Sequence, residues 1–169
     1  MQKHIWGPLS MTSTTFRPLS DPLLSSRVMQ RTQRLPDGSL AVDPMTTFPH
    51  SDPIDEAGGG GMYTTASDYI KVLTSLLLND GMLLQPATVA EMFKPQVVDT
   101  PELQASLGRG ENATGLVRGT KVAVSSNMTW NFGLGGLLAM DAVEAKGGKR
   151  MLLWSGLPNC FWVSGLNSW

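Results

Sequence analysis

Residues 58–96 read GGGGMYTTASDYIKVLTSLLLNDGMLLQPATVAEMFKPQ, and the chemistry of this stretch decides where the first long helix lies. Thr65-Ala66-Ser67-Asp68 has capping-box spacing. A threonine hydroxyl at the cap accepts one of the orphan backbone N–H groups, which predicts a helix starting near Ala66. Tyr69, Ile70, Val72, Leu73, Leu76 and Leu77 then recur at helical spacing on one broad face, the pattern of a helix with one side turned to a core. Asn79-Asp80-Gly81 supplies residues that tolerate the backbone by which a chain leaves a helix. Pro86 suits the first turn of a second helix of roughly two turns through Ala87, Val89, Ala90, Met92 and Phe93, closed by Lys94-Pro95. The four glycines do not form a phosphate-binding loop, because Met62-Tyr63 follow and no Lys-Ser/Thr pair does. They suit either a permissive turn or a place where backbone approaches a ligand.

Upstream, seven of the eleven prolines fall within residues 1–60. Each removes a backbone donor and biases its predecessor away from helix, so this part is expected to be loop-rich. Leu35-Pro36-Asp37-Gly38-Ser39 has the order of a tight turn, and residues 39–42 suit a strand leaving it, which predicts a small hairpin. Downstream, Gly108, Gly110, Gly115 and Gly119 interrupt any periodicity, so residues 97–126 are expected to be irregular with one strand at 121–124. Residues 130–140 read as one glycine-punctured strand, Gly147-Gly148 as a turn, residues 150–154 as a second strand and Phe161-Trp162-Val163 as a third. Short turns between strands favour an antiparallel sheet, against which the helix capped by Thr65 is expected to bury its apolar face. The expected class is α+β in a single domain over residues 1–169, loop-rich over 1–60, helical over 61–96 and mainly strands over 120–169.

With 169 residues, 41% of them apolar, the chain is long enough to bury roughly 68–70% of its unfolded surface in one core. Charged residues make up only 16%, while 18 glycines and 11 prolines fit short elements rather than a long helical bundle. Thirteen basic against fourteen acidic residues leave a formal charge of -1, with no Lys/Arg run dense enough to follow a phosphate backbone; no nucleic-acid partner is expected. The apolar runs at 72–78 and 133–140 fall short of the ~20 residues of a membrane helix, so no membrane partner is expected either. The single cysteine, Cys160, cannot form an internal disulfide, and MQKHIWGPLSM at the start lacks the apolar stretch of a signal peptide; the expected location is cytoplasmic.

Candidate chemistry is sparse. Neither His4 nor His50 sits in a Cys, Asp or Glu pattern suited to zinc or iron, so no metal and no other cofactor is expected. Asp52, Asp55 and Glu56 cluster ahead of the glycines, but paired carboxylates act only at defined separations, and solvation is the simpler assignment. There is no Gly-x-Ser-x-Gly elbow, and no serine is followed three residues later by lysine, which removes two common routes to an activated serine. Cys160 has no positioned base in the sequence and is expected to be a small buried hydrophobe.

Residues 58–96 resemble a signature stretch of the serine β-lactamase-like family, which includes class C β-lactamases, D-amino-acid peptidases, carboxylesterases and fungal acyltransferases of the lovastatin type. The opening HIWGPLSMTSTTFRP, residues 4–18, resembles the family's PLGM-x-x-T-x-F segment, with Ser10 where glycine is usual. NFGLGG, residues 131–136, resembles the strand preceding the final active-site strand. Trp154-Ser155-Gly156-Leu157 occupies the place of the Lys/His-Thr-Gly or Trp-Gly-Gly triplet. The resemblance spans nearly the whole chain, and the order of its motifs is more specific than any one of them.

The resemblance implies an incomplete β-lactamase/transpeptidase-like fold, an antiparallel sheet packed against helices. It also implies ester hydrolysis or transesterification through an acyl-serine, in its specific form a fungal secondary-metabolite transesterase. In the family the nucleophile lies in Ser-x-x-Lys and is assisted by a tyrosine in Tyr-x-Asn/Ser, both upstream of the segment that residues 1–18 match. Neither motif occurs here: Tyr63 leads to Thr64-Thr65 and Tyr69 to Ile70-Lys71. The expected catalytic set is therefore empty, and the chain is expected to be a truncated relative, a pseudoenzyme inactive alone. The positions carried over line the substrate cleft. They are Trp154, Ser155 and Gly156 on the strand, with the backbone N–H of Leu157 as second oxyanion donor, worth ~2.7–4 kcal/mol once a nucleophile delivers charge. Trp154 stands where β-lactamases carry a cation and so resembles the esterase and transesterase branch; packing on the sheet is its plainer role. The implied partners are an acyl ester or thioester substrate, together with either a complementing chain that supplies the serine, lysine and tyrosine or self-association through an exposed edge strand.

Overall fold

The computed structural model describes residues 1–30, 32–42, 53–107, 129–141, 150–155 and 160–166. The chain divides into two units, Met1–Val72 and Leu73–Trp169. In the first, Met1 starts a π-helical turn, Gln2–Trp6, with i to i+5 bonds from the Trp6 N–H to the Met1 carbonyl at 3.3 Å, from Gly7 to Gln2 at 2.8 Å and from Met11 to Trp6 at 2.8 Å. The turn folds residues 4–16 back on themselves, burying Leu9, Met11 and Phe16 and setting the Trp6 and Phe16 rings 5.8 Å apart. A 3-10 turn, Pro18–Ser20, leads to α1, Pro22–Ser25, where Asp21 accepts from the N–H groups of Leu23 and Leu24, as an N-cap should. β1, Thr32–Arg34, and β2, Leu40–Val42, form the expected hairpin, with Gly38 supplying the positive φ of 86° that the turn needs.

The long helix α2, Ala66–Leu78, begins where its cap predicts: Thr65 Oγ1 accepts from the Asp68 N–H at 3.2 Å. It ends at Asn79, whose φ of 50° is left-handed, and Ser75 donates to the Asp80 carboxylate at 2.7 Å to close the exit. Its most buried positions are Asp68, Ser75 and Leu76, whereas Ile70 and Leu77 of the expected apolar face are exposed, as is Leu78 after them.

In the second unit α3, Pro86–Met92, places proline at its first position and buries Val89 and then Phe93. Residues 101–107, expected to be irregular, form α4, Pro101–Leu107. Thr100 caps it by accepting from the Leu103 N–H at 3.1 Å, and Pro101 and Glu102 follow in the first turn. The stretch expected as one strand at 130–140 is instead a hairpin of β3, Trp130–Gly133, and β4, Gly136–Ala139. Leu134 and Gly135 make the two-residue connection, and the φ of 93° at Gly135 is what reverses the chain. β5, Arg150–Ser155, and β6, Phe161–Leu166, complete an antiparallel sheet in the order β3-β4-β5-β6. The expected strand at 121–124 and the Gly147-Gly148 turn lie outside the described residues.

Side-chain alternation splits the sheet into two faces. Trp130, Leu137, Ala139, Met151 and Leu153 form one buried cluster with Leu107 of α4, and Leu103, Phe132 and Val163 pack on it. Asn131, Leu138, Leu152 and Ser164 occupy the other face and are buried too. The run Met151, Leu152, Leu153 is therefore apolar without alternation, as both-faced burial requires. Among the described residues no helix is long and apolar enough to cross a membrane.

Candidate active site

β5 carries the residues that the sequence singles out. Met151, Leu152 and Leu153 are at most 2% exposed, and Trp154 is then 39% exposed, so the strand surfaces at this residue. In the ladder with β6, Trp154 faces Trp162 and Ser155 faces Phe161. Gly156 and Leu157 lie outside the described residues. NFGLGG supplies the neighbouring strands, and each of its residues has an identifiable task. Asn131 is 2% exposed and clamps the backbone of Val97, accepting from its N–H at 3.1 Å and donating to its carbonyl at 2.9 Å. Gly133 lies so close to the Met92 carbonyl that any side chain would collide with it, and the Leu134 N–H donates to that same carbonyl at 3.1 Å. A Cβ on Gly136 would stand 2.8 Å from the Leu153 carbonyl oxygen and 3.1 Å from the Trp162 ring. Glycine is thus a steric requirement at both positions.

In the first unit the densest polar cluster surrounds Asp68, whose role there sequence reasoning missed. Its carboxylate accepts from the Ser13 N–H at 2.7 Å, the Thr14 hydroxyl at 3.0 Å and the Lys71 ammonium at 2.9 Å. Lys71 also donates to the Ser10 carbonyl at 2.6 Å. Burial by itself would raise the Asp68 carboxyl, but the bonds from Lys71, Ser13 and Thr14 outweigh it and hold the group below its ordinary value. The cluster ties residues 10–14 to the start of α2, and its lysine is committed to a structural pair. The signal for it was the Asp68 of the capping box, whose carboxylate is spent on a distant loop and on Lys71 one turn along the helix. Burial raises the Tyr69 phenol above its ordinary value.

The remaining candidates are plain. Asp55 and Glu56 are exposed, in keeping with solvation, and Asp52 and His50 lie outside the described residues. Cys160, expected to be buried, is exposed just before β6, because the strand's burial begins only after it. Gly58, Gly59, Gly60 and Gly61 have no neighbour within 4 Å of an added Cβ, and Gly61 has a φ of 84°, the geometry of a permissive turn. Among the described residues no three His, Cys, Asp or Glu side chains gather as a metal site would need.

The family model described as Beta-lactamase matches residues 1–159. ML-236A carboxylate methylbutanoyltransferase mlcH of Penicillium citrinum is 34% identical over 164 residues, covering 96% of this chain and 38% of that protein. Lovastatin esterase of Penicillium rubens is 34% identical over 172 residues, covering 96% and 40%. Among solved structures, a LovD6 mutant of simvastatin synthase from Aspergillus terreus superposes with a TM-score of 0.80 at 30% identity, covering 97% of this chain and 41% of that one. The chain therefore spans about two fifths of the length of the relatives it matches. The same antiparallel sheet and helices recur in that fungal structure, and the motifs quoted above fall in order within the matched span. The chain belongs to the beta-lactamase family.

Proposed function

We propose that this chain forms the sheet side of a serine acyl-transfer site that takes an acyl ester or thioester. The observation that carries the proposal is the surfacing of Trp154 at the end of an otherwise buried β5, in a chain whose relatives are named acyltransferases and an esterase. Trp154, Ser155 and Gly156 line the cleft, and the Leu157 N–H donates to the oxyanion. A serine hydroxyl gives its proton to the adjoining lysine or tyrosine as its Oγ attacks the acyl carbonyl, the C=O electron pair moves onto oxygen, and the N–H donors hold that charge. Collapse expels the alkoxide or thiolate, which takes a proton, and the acyl-serine then passes to water or an alcohol.

These 169 residues contain neither Ser-x-x-Lys nor Tyr-x-Asn/Ser. The serine, its lysine and the tyrosine come from polypeptide outside them, continuous or separate, and these residues alone turn over no ester. A single cysteine, which leaves no internal disulfide to form, supports a cytoplasmic setting. The test is hydrolysis of p-nitrophenyl butyrate by the purified chain, with Ser155→Ala alongside, before and after adding a polypeptide that carries a Ser-x-x-Lys segment of the family. The expected result is no turnover above buffer alone and turnover on mixing that neither component shows by itself. Turnover by the chain alone that Ser155→Ala abolishes would make Ser155 the nucleophile and overturn the proposal.

A further inference from the structure

Where β5 surfaces, the sheet holds a second tryptophan. Trp162 stands opposite Trp154 in the β5–β6 ladder, and alternation puts both on the face that carries Leu152 and Ser164. The Cη2 tip of the Trp162 indole lies 3.1 Å from where a Cβ on Gly136 would stand, beside Leu152 Cγ at 3.2 Å. Gly136 belongs to β4, so the indole reaches across β5 to the next strand, and only the missing side chain at residue 136 lets it come that near. Trp162 is half-buried and Trp154 is 39% exposed, which leaves one indole seated in the sheet and the other open beside it.

The side chains of this corner, Leu152, Trp154 and Trp162, carry no formal charge. A seated indole offers a large, rigid apolar surface at small entropic cost to a ligand that packs on it. An apolar acyl chain gains by leaving water there, whereas a carboxylate loses hydration and finds no cation among these side chains to replace it.

We propose that Trp162, seated on Gly136, is a specificity-determining residue of the acyl site, and that with Trp154 it selects neutral, apolar acyl groups over carboxylate-bearing ones. The proposal rests on the proposed function in one respect, that Trp154 lines the acyl site.

The test is equilibrium dialysis of the 169-residue chain against two anilides that are not hydrolysed as esters are: N-(4-nitrophenyl)butanamide, and N-(4-nitrophenyl)succinamic acid, which ends in a carboxylate. The chain is expected to bind the neutral anilide about tenfold more tightly than the anionic one. Trp162→Ala is expected to weaken the neutral anilide by about tenfold and remove the preference, and Trp162→Phe, which keeps a ring, to fall between. If Trp162→Ala does not fold, as judged by circular dichroism, Trp162→Phe decides: weakened binding of the neutral anilide supports the proposal and unchanged affinity overturns it. Binding that survives Trp162→Ala with its preference intact but is weakened by Trp154→Ala overturns the role of Trp162 and leaves the site in place. Binding indifferent to both substitutions, or none at all, overturns the reading of Trp154 as well.

Discussion

Ser10 holds a φ of 52°, a left-handed conformation that costs a residue with a side chain roughly 1–2 kcal/mol. The family's usual glycine at this place has no such cost, although glycine loses about 0.5–1 kcal/mol more backbone entropy on folding. Ser10→Gly is therefore expected to raise stability by about 0.5–1 kcal/mol, read as a higher urea midpoint; a lower midpoint would show that the serine side chain makes a compensating bond. Asp68 is a second such residue. Its carboxyl sits below the ordinary carboxylate value, so its contribution to stability is fully present above the unfolded-state value near 4 and is lost as pH falls through the lower folded-state value. Asp68→Asn leaves the Thr14 hydroxyl and the Lys71 ammonium facing an amide and is expected to cost on the order of 2 kcal/mol at neutral pH. Measured against pH, that difference should shrink below about pH 4; a constant difference would sink the assignment. Ser164 presents the opposite case: its buried hydroxyl has no hydrogen-bond partner among the described residues, so Ser164→Ala is expected to leave stability unchanged or raise it by about 1 kcal/mol in a urea titration.

At the scale of the element, the outer edge of β3 shows how the fold disposes of an unpaired strand. Gln104 of α4 pairs with both backbone groups of Trp130, donating to its carbonyl at 2.7 Å and accepting from its N–H at 3.3 Å. Asn131 clamps Val97, and the Gln96 N–H donates to the Phe132 carbonyl at 2.8 Å. Among the described residues, side chains and a short run of irregular backbone thus pair with this edge in place of another strand. Gln104→Ala leaves both groups of a buried residue unpaired and is expected to cost about 1–3 kcal/mol, with the loss of hydrogen-exchange protection greatest at the Trp130 amide. Equal loss across all four strands would mean that Gln104 acts through the whole core instead. α4 itself escaped prediction because seven residues leave little room for periodicity, yet Asp99-Thr100-Pro101-Glu102 carries the cap, the proline and the acidic first turn of a helix start.

For the molecule as a whole, stability is concentrated where both faces of the sheet are covered. Leu137, Leu138, Leu152 and Leu153 are completely buried, and each contributes roughly 1.5–3 kcal/mol by leaving water. Leu152→Ala is expected to cost about 2–5 kcal/mol, a large share of the 5–15 kcal/mol that holds a typical protein folded, and calorimetry should show it as a fall of several degrees in Tm. A cost under about 1 kcal/mol would show that the cavity collapses freely. The same covering limits what the sheet can present: a strand buried on both faces exposes side chains only where it surfaces, which in β5 is Trp154.

The sequence by itself determined the pieces whose causes are local. A threonine cap set the start of α2, a proline that of α3, Asp37-Gly38 the small hairpin, and the apolar runs β5 and β6. The order of motifs identified the family from the same residues. What only the tertiary structure decided depends on contacts between residues far apart in sequence. The 130–140 stretch becomes two strands because Gly135 reverses the chain and Gly133 and Gly136 admit Met92 and Trp162 at close range, neither of which a single-strand pattern discloses. Asp68 has the spacing of a helix cap and instead holds a loop more than fifty residues away. Trp154 and Trp162 stand opposite each other only through the register of β5 with β6, and register is a property of the assembled sheet.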